Sequence, residues 1–356
     1  MRQQTRKPAS AARPGALTQQ VAAAGTAVRR LRALDECVVV VTPRSFGEYD
    51  TGLRDALERT VGEVRYRPGP LAAEQLTEAL VDADGLIAGL DELSAEVFER
   101  AHRLRVVARY GVGADHVDVD AALRHGVTVT VTRGANGNAV AELTIALLLA
   151  LARSLVPGRD AVRVGEWPAM GGVEVAGRTL GLLGLGRIGS LVAAKSRALG
   201  LCVLAHDPFV ADEQAKAAGV VLVDLETLAA ESDFLSLHAG LTEESRGIVD
   251  RALLQQLKPG AVLVNTARGE LVDEEALLWA LDHGPLAAAA LDVLADEPPP
   301  RDHPLLRRDD VLVTPHMGAH TAEATSAMGR MALDELLAVL SGRPPRFPIV
   351  RSREKA

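Results

Sequence analysis

The sequence predicts an α/β protein with two doubly wound parallel-sheet domains separated by a cleft. Its 356 residues exceed one ordinary hydrophobic core, so two domains are expected. Short apolar runs alternate with helical patterns from Cys37 to Leu340, the order in which strands pair in parallel beneath helices on both faces. Apolar residues make up 48% of the chain but aromatic ones only 3%, so Ala, Val, Leu and Gly fill the core. Such small residues seat helices closely on a sheet covered on both sides.

The first strand is read at Cys37-Val38-Val39-Val40-Val41. A helix around Tyr49 to Thr60, a strand from Glu63 to Tyr66, a helix from Ala72 to Val81 and a strand from Gly85 to Ala88 follow. Ser94 is suited to cap the helix that runs to Ala101, with Val97 and Phe98 on its buried side. Leu104 to Ala108 is the next strand, and the first unit ends near Val127 to Val131. The helix Val140 to Arg153 is apolar almost all the way round and needs cover on more than one side. A subunit interface is the economical explanation, and burial within one chain is the alternative. A polar connector with Trp167 and Gly171-Gly172 leads to further strands at Leu180 to Leu183, Leu201 to Ala205, Phe234 to His238, Ala261 to Asn265, Ala287 to Val293 and Val311 to Thr314. A final helix, Ala322 to Leu340, ends before Pro344-Pro345.

Charge is distributed unevenly. Residues 1–33 hold seven basic residues and no acidic one, which suits a flexible extension, an over-long start or a transit peptide. The net charge is −8, so the remainder carries −15, and an acidic body argues against nucleic acid as a ligand. The most membrane-like run, Leu143 to Ala152, is too short to span a bilayer. Cys37 and Cys202 both lie in apolar strand-like runs and read as buried thiols in a reducing, cytoplasmic setting; no metal site is indicated.

Residues 179–189 carry the strongest chemical signal. A buried strand is followed by Gly184, Gly186 and Gly189 in a G-x-G-x-x-G turn that includes Arg187 and Ile188, and Ser190 to Leu199 continue as a helix. The first Gly permits the turn, the second lets backbone approach a pyrophosphate, and the third lets helix pack on strand. The helix N-terminus faces the phosphates with partial positive charge. Asp207 ends the next strand, 18 residues after Gly189, close to the spacing of a ribose-binding carboxylate. A carboxylate accepts hydrogen bonds from a ribose diol and repels a 2′-phosphate, so this second unit reads as a Rossmann domain that binds NAD rather than NADP.

Three later segments each place polar residues just beyond a parallel strand: Asn265-Thr266-Ala267-Arg268-Gly269-Glu270, Leu291-Asp292-Val293-Leu294-Ala295-Asp296-Glu297-Pro298, and Thr314-Pro315-His316-Met317-Gly318-Ala319-His320. Taken singly they are weak signals. Together and in order behind the glycine turn, with Arg109-Tyr-Gly-Val-Gly-Ala-Asp-His-Val-Asp and Asn138-Ala-Val-Ala-Glu-Leu, they resemble the D-isomer-specific 2-hydroxyacid dehydrogenases from about Cys37 to Leu340.

The resemblance implies that Arg268, Glu297 and His316 are the catalytic Arg, Glu and His. Reduction of a 2-keto acid needs a hydride at C2 and a proton on the C2 oxygen. A guanidinium fork binds the carboxylate and polarises the carbonyl, and a His supplies the proton. A carboxylate beside the His favours its protonated form. The resemblance also implies that Asp292 faces the nicotinamide carboxamide and that Thr266, Ala267, His316 and Gly318 belong to the cofactor site. Backbone N–H groups of Gly111, Val112 and Gly113 would meet the substrate carboxylate. It further implies a homodimer through Val140–Arg153, and a phosphoglycerate dehydrogenase-like member without a C-terminal regulatory domain. The implied division is a basic extension over 1–35, a substrate-binding domain over 36–133 and 317–345, and an NAD-binding domain over 134–316. Connections near Gly134 and Met317 would act as a hinge.

Several positions depart from the family pattern. Gly240 stands where a Pro is usual, and His320 where an aromatic is common. Ala88-Gly89-Leu90-Asp91 lacks the basic residue with which phosphoglycerate-specific members hold phosphate, although Arg44 or Arg109 could compensate. Val112 replaces the Lys of phosphite-oxidising relatives, and Glu297 the Gln of formate-oxidising ones, which argues against both activities. The expected function is therefore NAD-dependent interconversion of a small 2-hydroxy acid and its 2-keto acid. An NAD(H)-sensing binding protein of the same fold is the alternative.

Overall fold

The computed structural model describes residues 31–349, so the basic extension over 1–35 falls almost wholly outside the described residues. Two all-parallel sheets form the frame. The smaller holds β1 (Val38–Val41), β2 (Glu63–Tyr66), β3 (Gly85–Ala88), β4 (Val106–Arg109) and β5 (Thr128–Val131), in the order β2-β1-β3-β4-β5. Its helices are α1 (Gly52–Thr60), α2 (Ala73–Leu80), α3 (Ala95–Arg100) and α4 (Val119–Arg124). Strands β1, β3 and β4 are buried at every position, as covered parallel strands require.

The chain passes to the larger sheet at Gly134, where φ is +85° and an added Cβ would press on the Arg187 guanidinium. Two helices follow, α5 (Gly137–Ala152) and α6 (Leu155–Arg163). The larger sheet holds β6 (Thr179–Leu183), β7 (Cys202–His206), β8 (Val221–Leu222), β9 (Phe234–Leu237), β10 (Ala261–Asn265), β11 (Leu286–Leu291) and β12 (Val311–Val313), in the order β12-β11-β10-β9-β6-β7-β8. Helices α7 (Arg187–Ala198), α8 (Asp212–Ala217), α9 (Leu225–Glu231), α10 (Arg251–Leu254) and α11 (Glu274–Asp282) connect these strands. Strand β6 pairs with β7 on one side and β9 on the other, so strand order reverses there. In open α/β sheets that switch point leaves a crevice at the carboxyl ends of the strands.

The chain then returns to the smaller sheet, where α12 (Ala322–Leu340) packs on β3, β4 and β5. The buried Glu335 carboxylate accepts the Arg346 and Phe347 N–H groups, which steers the C-terminal segment along β5. Among the described residues no single helix is long and apolar enough to cross a membrane.

Four sequence expectations need correction. Cys202 is exposed rather than buried: it begins β7, outside the stretch that pairs with the two-residue β8, and faces away from the core. Ser94 occupies the N-cap of α3, but its hydroxyl caps no N–H. Helix α7 starts within the glycine turn, at Arg187, rather than at Ser190. The expected polar connector contains α6, whose Pro157 sits in the first turn, where the missing N–H costs nothing.

The apolar helix α5 is largely covered by its own chain. Leu147 and Leu148 are buried, and Leu143, Ile145, Leu149 and Leu151 pack partly on the same cluster between α7 and the sheet. The freely exposed apolar side chains lie further on, at Leu155, Val162, Val164, Trp167 and Met170. Leu148→Ala is accordingly expected to cost about 2–5 kcal/mol of unfolding free energy, as cavities in packed cores do. Urea denaturation measures it, with size-exclusion chromatography expected to show an unchanged native mass.

Candidate active site

The three glycines of the turn meet three different surroundings. Gly184 has φ +99°, and a Cβ there would lie 2.7 Å from the backbone of His238 and Ala239. A Cβ at Gly189 would collide with the Gly184 carbonyl. Gly186 is the N-cap of α7, and a Cβ there would meet nothing within 4 Å. Tight packing thus holds two glycines while the third leaves the helix N-terminus open, a cradle that fits a pyrophosphate. Asp207 stands at the end of β7, where Oδ2 accepts the Leu185 N–H at 2.8 Å and Oδ1 accepts the Phe209 N–H at 2.9 Å. Its carboxylate is therefore fixed beside the turn, as a ribose-binding group must be. Arg187 packs at the crossing glycine Gly134, and Ile188 packs on the core cluster beneath the sheet.

The turn after β10 is tied down by Asn265. Its Oδ1 accepts the Ala267 N–H at 3.0 Å, and its Nδ2 donates to the Arg268 carbonyl at 2.8 Å. Thr266 and Thr144 share a buried hydroxyl hydrogen bond of 2.8 Å that links this turn to α5. From the turn Arg268 reaches the smaller domain, where Nε donates to Asp115 Oδ2 at 2.6 Å. Its Nη1 donates to the Ala267 carbonyl at 2.6 Å. A Cβ at Gly113 would collide with Nη2, so glycine at 113 makes room for this guanidinium.

Asp292 is buried after β11 and clamps the return crossing. Its Oδ1 accepts the Thr314 hydroxyl at 2.6 Å and the Met317 N–H at 2.9 Å, while Oδ2 accepts the Gly318 N–H at 2.8 Å. Between these anchors His316 takes φ +50°, a left-handed conformation that costs a non-glycine residue about 1–2 kcal/mol. His316 Nδ1 lies 2.6 Å from Glu297 Oε2, and Glu297 Oε1 accepts the Leu294 N–H at 3.1 Å. Burial opposes the charge on Glu297, but the hydrogen bond and charge of His316, with the Leu294 N–H, hold its carboxyl below the usual carboxylate range.

Arg268, Glu297, His316 and Asp292 thus line one cleft of about 670 Å³ at the carboxyl ends of the strands. Glu92, Asp115 and His116 of the smaller domain line its opposite wall. Gly111, Val112 and Gly113 follow β4 on that side; Val112 is exposed, and Gly111 sits against the Arg109 guanidinium. Arg109 is buried and donates to the Ala88 and Tyr110 carbonyls; burial first, and then the nearby Arg268 charge, push its pKa down to about 10. Neither Asp115 nor Thr144 stood out in the sequence as a site residue. Both make their contacts across more than a hundred positions of chain, 153 and 122, where no local pattern exists.

Residues 145–318 match the family model of the D-isomer specific 2-hydroxyacid dehydrogenase, NAD binding domain. The chain is 42% identical over 286 residues to a D-3-phosphoglycerate dehydrogenase of Methanocaldococcus jannaschii, covering 79% of this chain and 54% of that one. It is 41% identical over 283 residues to a glyoxylate reductase of Korarchaeum cryptofilum, covering 78% of this chain and 85% of that one. The chain spans about half the length of the phosphoglycerate dehydrogenases it matches. Among solved structures, a Thermus thermophilus protein superposes with TM-score 0.80 at 40% identity, over 88% of this chain and all of that one. A D-lactate dehydrogenase with NAD+ from Lactobacillus jensenii superposes with TM-score 0.69 at 28% identity, over 88% of this chain and 100% of that one.

His238 adds a pH dependence. It follows β9 beneath the glycine turn, and its Nε2 lies 3.0 Å from the Ser236 hydroxyl. Desolvation pushes its pKa down to about 3, so it is neutral in the folded protein. The unfolded chain binds that proton below about pH 6.5, so stability present at neutral pH is lost as pH falls from there toward 3. Between pH 7 and 5 the loss is at most about 2 kcal/mol, at about 1.4 kcal/mol for each pH unit below the unfolded pKa. His238→Gln, which cannot take up the proton, is expected to flatten the decline of Tm between pH 7 and 5.

Proposed function

This chain belongs to the D-isomer-specific 2-hydroxyacid dehydrogenases, and on that premise we propose that it interconverts a small 2-hydroxy acid and its 2-keto acid with NAD. The observation that carries this reading is the convergence of Arg268 and the His316–Glu297 pair on one cleft at the carboxyl ends of the strands. Bound nicotinamide supplies or accepts the hydride. Arg268 binds the substrate carboxylate and polarises the C2 carbonyl, with help from backbone N–H groups of Gly111, Val112 and Gly113. Glu297 holds His316 by Nδ1, which leaves Nε2 to give a proton to the C2 oxygen in reduction and to take it back in oxidation.

Gly184, Gly186, Arg187, Ile188 and Gly189 take the pyrophosphate side of NAD, and Asp207 takes the ribose. Thr266, Ala267, Asp292 and Gly318 border the nicotinamide. Residues 134–316 form the NAD domain, and 36–133 with 317–345 the substrate domain. The cleft favours an unphosphorylated substrate. Arg44 Nε is engaged by the Gly69 carbonyl and Arg109 by two carbonyls, while buried Asp91 accepts the Leu71 and Gly89 N–H groups and the Thr42 hydroxyl. Arg109 is therefore buried and committed to carbonyls, and Gly89–Asp91 offers no basic residue where phosphoglycerate-specific members hold the phosphate. Cys37 and Cys202 as free thiols suit the cytoplasm.

Loss of NADH absorbance with glyoxylate, pyruvate, hydroxypyruvate, phosphohydroxypyruvate and branched keto acids tests the reading. Turnover is expected with at least one unphosphorylated acid, and His316→Ala should lower it by about 10²–10⁴. NADH binding without any turnover would favour the NAD(H)-sensing alternative.

The partner is a second copy of this chain. Val140–Arg153 supplies the inner layer of that interface, and the exposed Leu155, Val162, Val164, Trp167 and Met170 supply its outer face. Light scattering is expected to report a dimer for the wild type and a smaller species for Trp167→Asp. A stable, active wild-type monomer would overturn the dimer.

A further inference from the structure

We propose that Asp115 is a positioning residue for this reaction, one that holds Arg268 by its Nε and so presents Nη2 to the Gly111–Gly113 loop. The inference rests on the reading of Arg268 as the carboxylate-binding residue. The Arg268 guanidinium has three nitrogens and two fixed partners. Nε is held by Asp115 at 2.6 Å and Nη1 by the Ala267 carbonyl at 2.6 Å. Nη2 has no acceptor among the described residues, and it lies against the open side of Gly113. The free end of the fork is thereby aimed at the loop whose N–H groups would share the substrate carboxylate.

A chance surface pair does not account for this arrangement. Both side chains are more than two-thirds buried, at 29% and 28% exposure, and they come from opposite walls of the cleft. The Arg268 main chain is already fixed by Asn265, so the side chain's direction is what remains to be set. Left alone, that side chain has rotamer freedom and a like charge nearby, since Arg109 lies beneath Gly111 on the same loop. Asp115 offsets both guanidiniums, which lets two cations flank one short loop.

Asp115 also follows Gly113 by only two residues, so loop and orienting carboxylate move as one piece. Arg268 is therefore aligned only when the substrate domain stands at this distance from the nucleotide domain. Closing the cleft and aiming the guanidinium become the same event.

Steady-state kinetics on Asp115→Asn and Asp115→Ala, alone and in an Arg268→Lys background, test this. Lys keeps a charge that Asp115 can pair with, but it has no Nε to hold and no Nη2 to aim, so orientation of the fork cannot operate there. Asp115→Ala should lower kcat/KM for the keto acid by about 10–100-fold, the usual consequence of losing a charged hydrogen bond. The loss should appear largely as a raised keto-acid KM, with the NADH Kd from fluorescence quenching unchanged. Asp115→Asn, which keeps an acceptor without the charge, should fall between Ala and wild type. In the Arg268→Lys background the Asp115 substitutions should have little further effect. If Asp115→Ala does not fold, Asp115→Asn carries the comparison. An active wild type with unaffected Asp115→Asn and Asp115→Ala, or an equal loss in the Lys background, would overturn this inference alone. A wild type without turnover would overturn the functional reading, and this inference with it.

Discussion

The carboxylate of Asp292 is enclosed by a hydroxyl and two backbone N–H groups, and the geometry of the cleft depends on that enclosure. A buried carboxylate is tolerated only when its lone pairs are satisfied, so Thr314, Met317 and Gly318 are drawn to one point. Those residues bracket the place where the chain leaves the larger sheet. The clamp therefore sets how the crossing leaves β12, and it over-determines the backbone of His316, which sits at φ +50° between the anchors. A conformation that would be unfavourable in a free chain becomes the means of turning an imidazole toward Glu297.

Close backbone approach is the second constraint. Gly113 admits the Arg268 guanidinium, Gly134 admits Arg187, and Gly184 lies against the chain at His238. Each glycine is placed where another element comes within contact distance, and at Gly113 the neighbour is an arginine reaching from the larger sheet's territory into the smaller's. The two crossings and the Arg268–Asp115 pair thus join the halves by short polar contacts rather than by a broad apolar interface. Such a joint suits a cleft that opens and closes, because polar contacts of this kind exchange with water more readily than a packed core can be exposed.

Much of this was legible in the chain itself. Strand Val38–Val41 and the first four residues of Ala261–Asn265 are unbroken apolar runs, and a run of that length between helical patterns has few other readings. The glycine turn was legible because three glycines at fixed spacing state a backbone requirement directly. The Arg268, Glu297 and His316 segments were legible through order along the chain behind that turn. Errors arose where local pattern and surroundings part company. Cys202 sits in an apolar run, yet the short β8 leaves its end of the sheet uncovered. Helix α6 was not expected, because it lies in the stretch read as a polar connector; its Pro157 falls in the first turn, where a missing N–H costs nothing. Helix α5 is a different case, since periodicity shows how much of a helix is apolar and says nothing about which chain covers it; its own chain covers much of it, and the interface with a second copy is the proposal made above.

Sequence alone determined the element types, their order, the parallel pairing and the residue types available to the site. These follow from side-chain periodicity, backbone sterics and the spacing of glycines, all of which act over a few residues. The tertiary structure decided which polar groups meet. Arg268 finds Asp115 across 153 positions, and Thr144 finds Thr266 across 122. Those contacts depend on how two separately folded sheets stand against each other. That placement is the sum of many small packing terms spread over both domains, and no short stretch of sequence contains it.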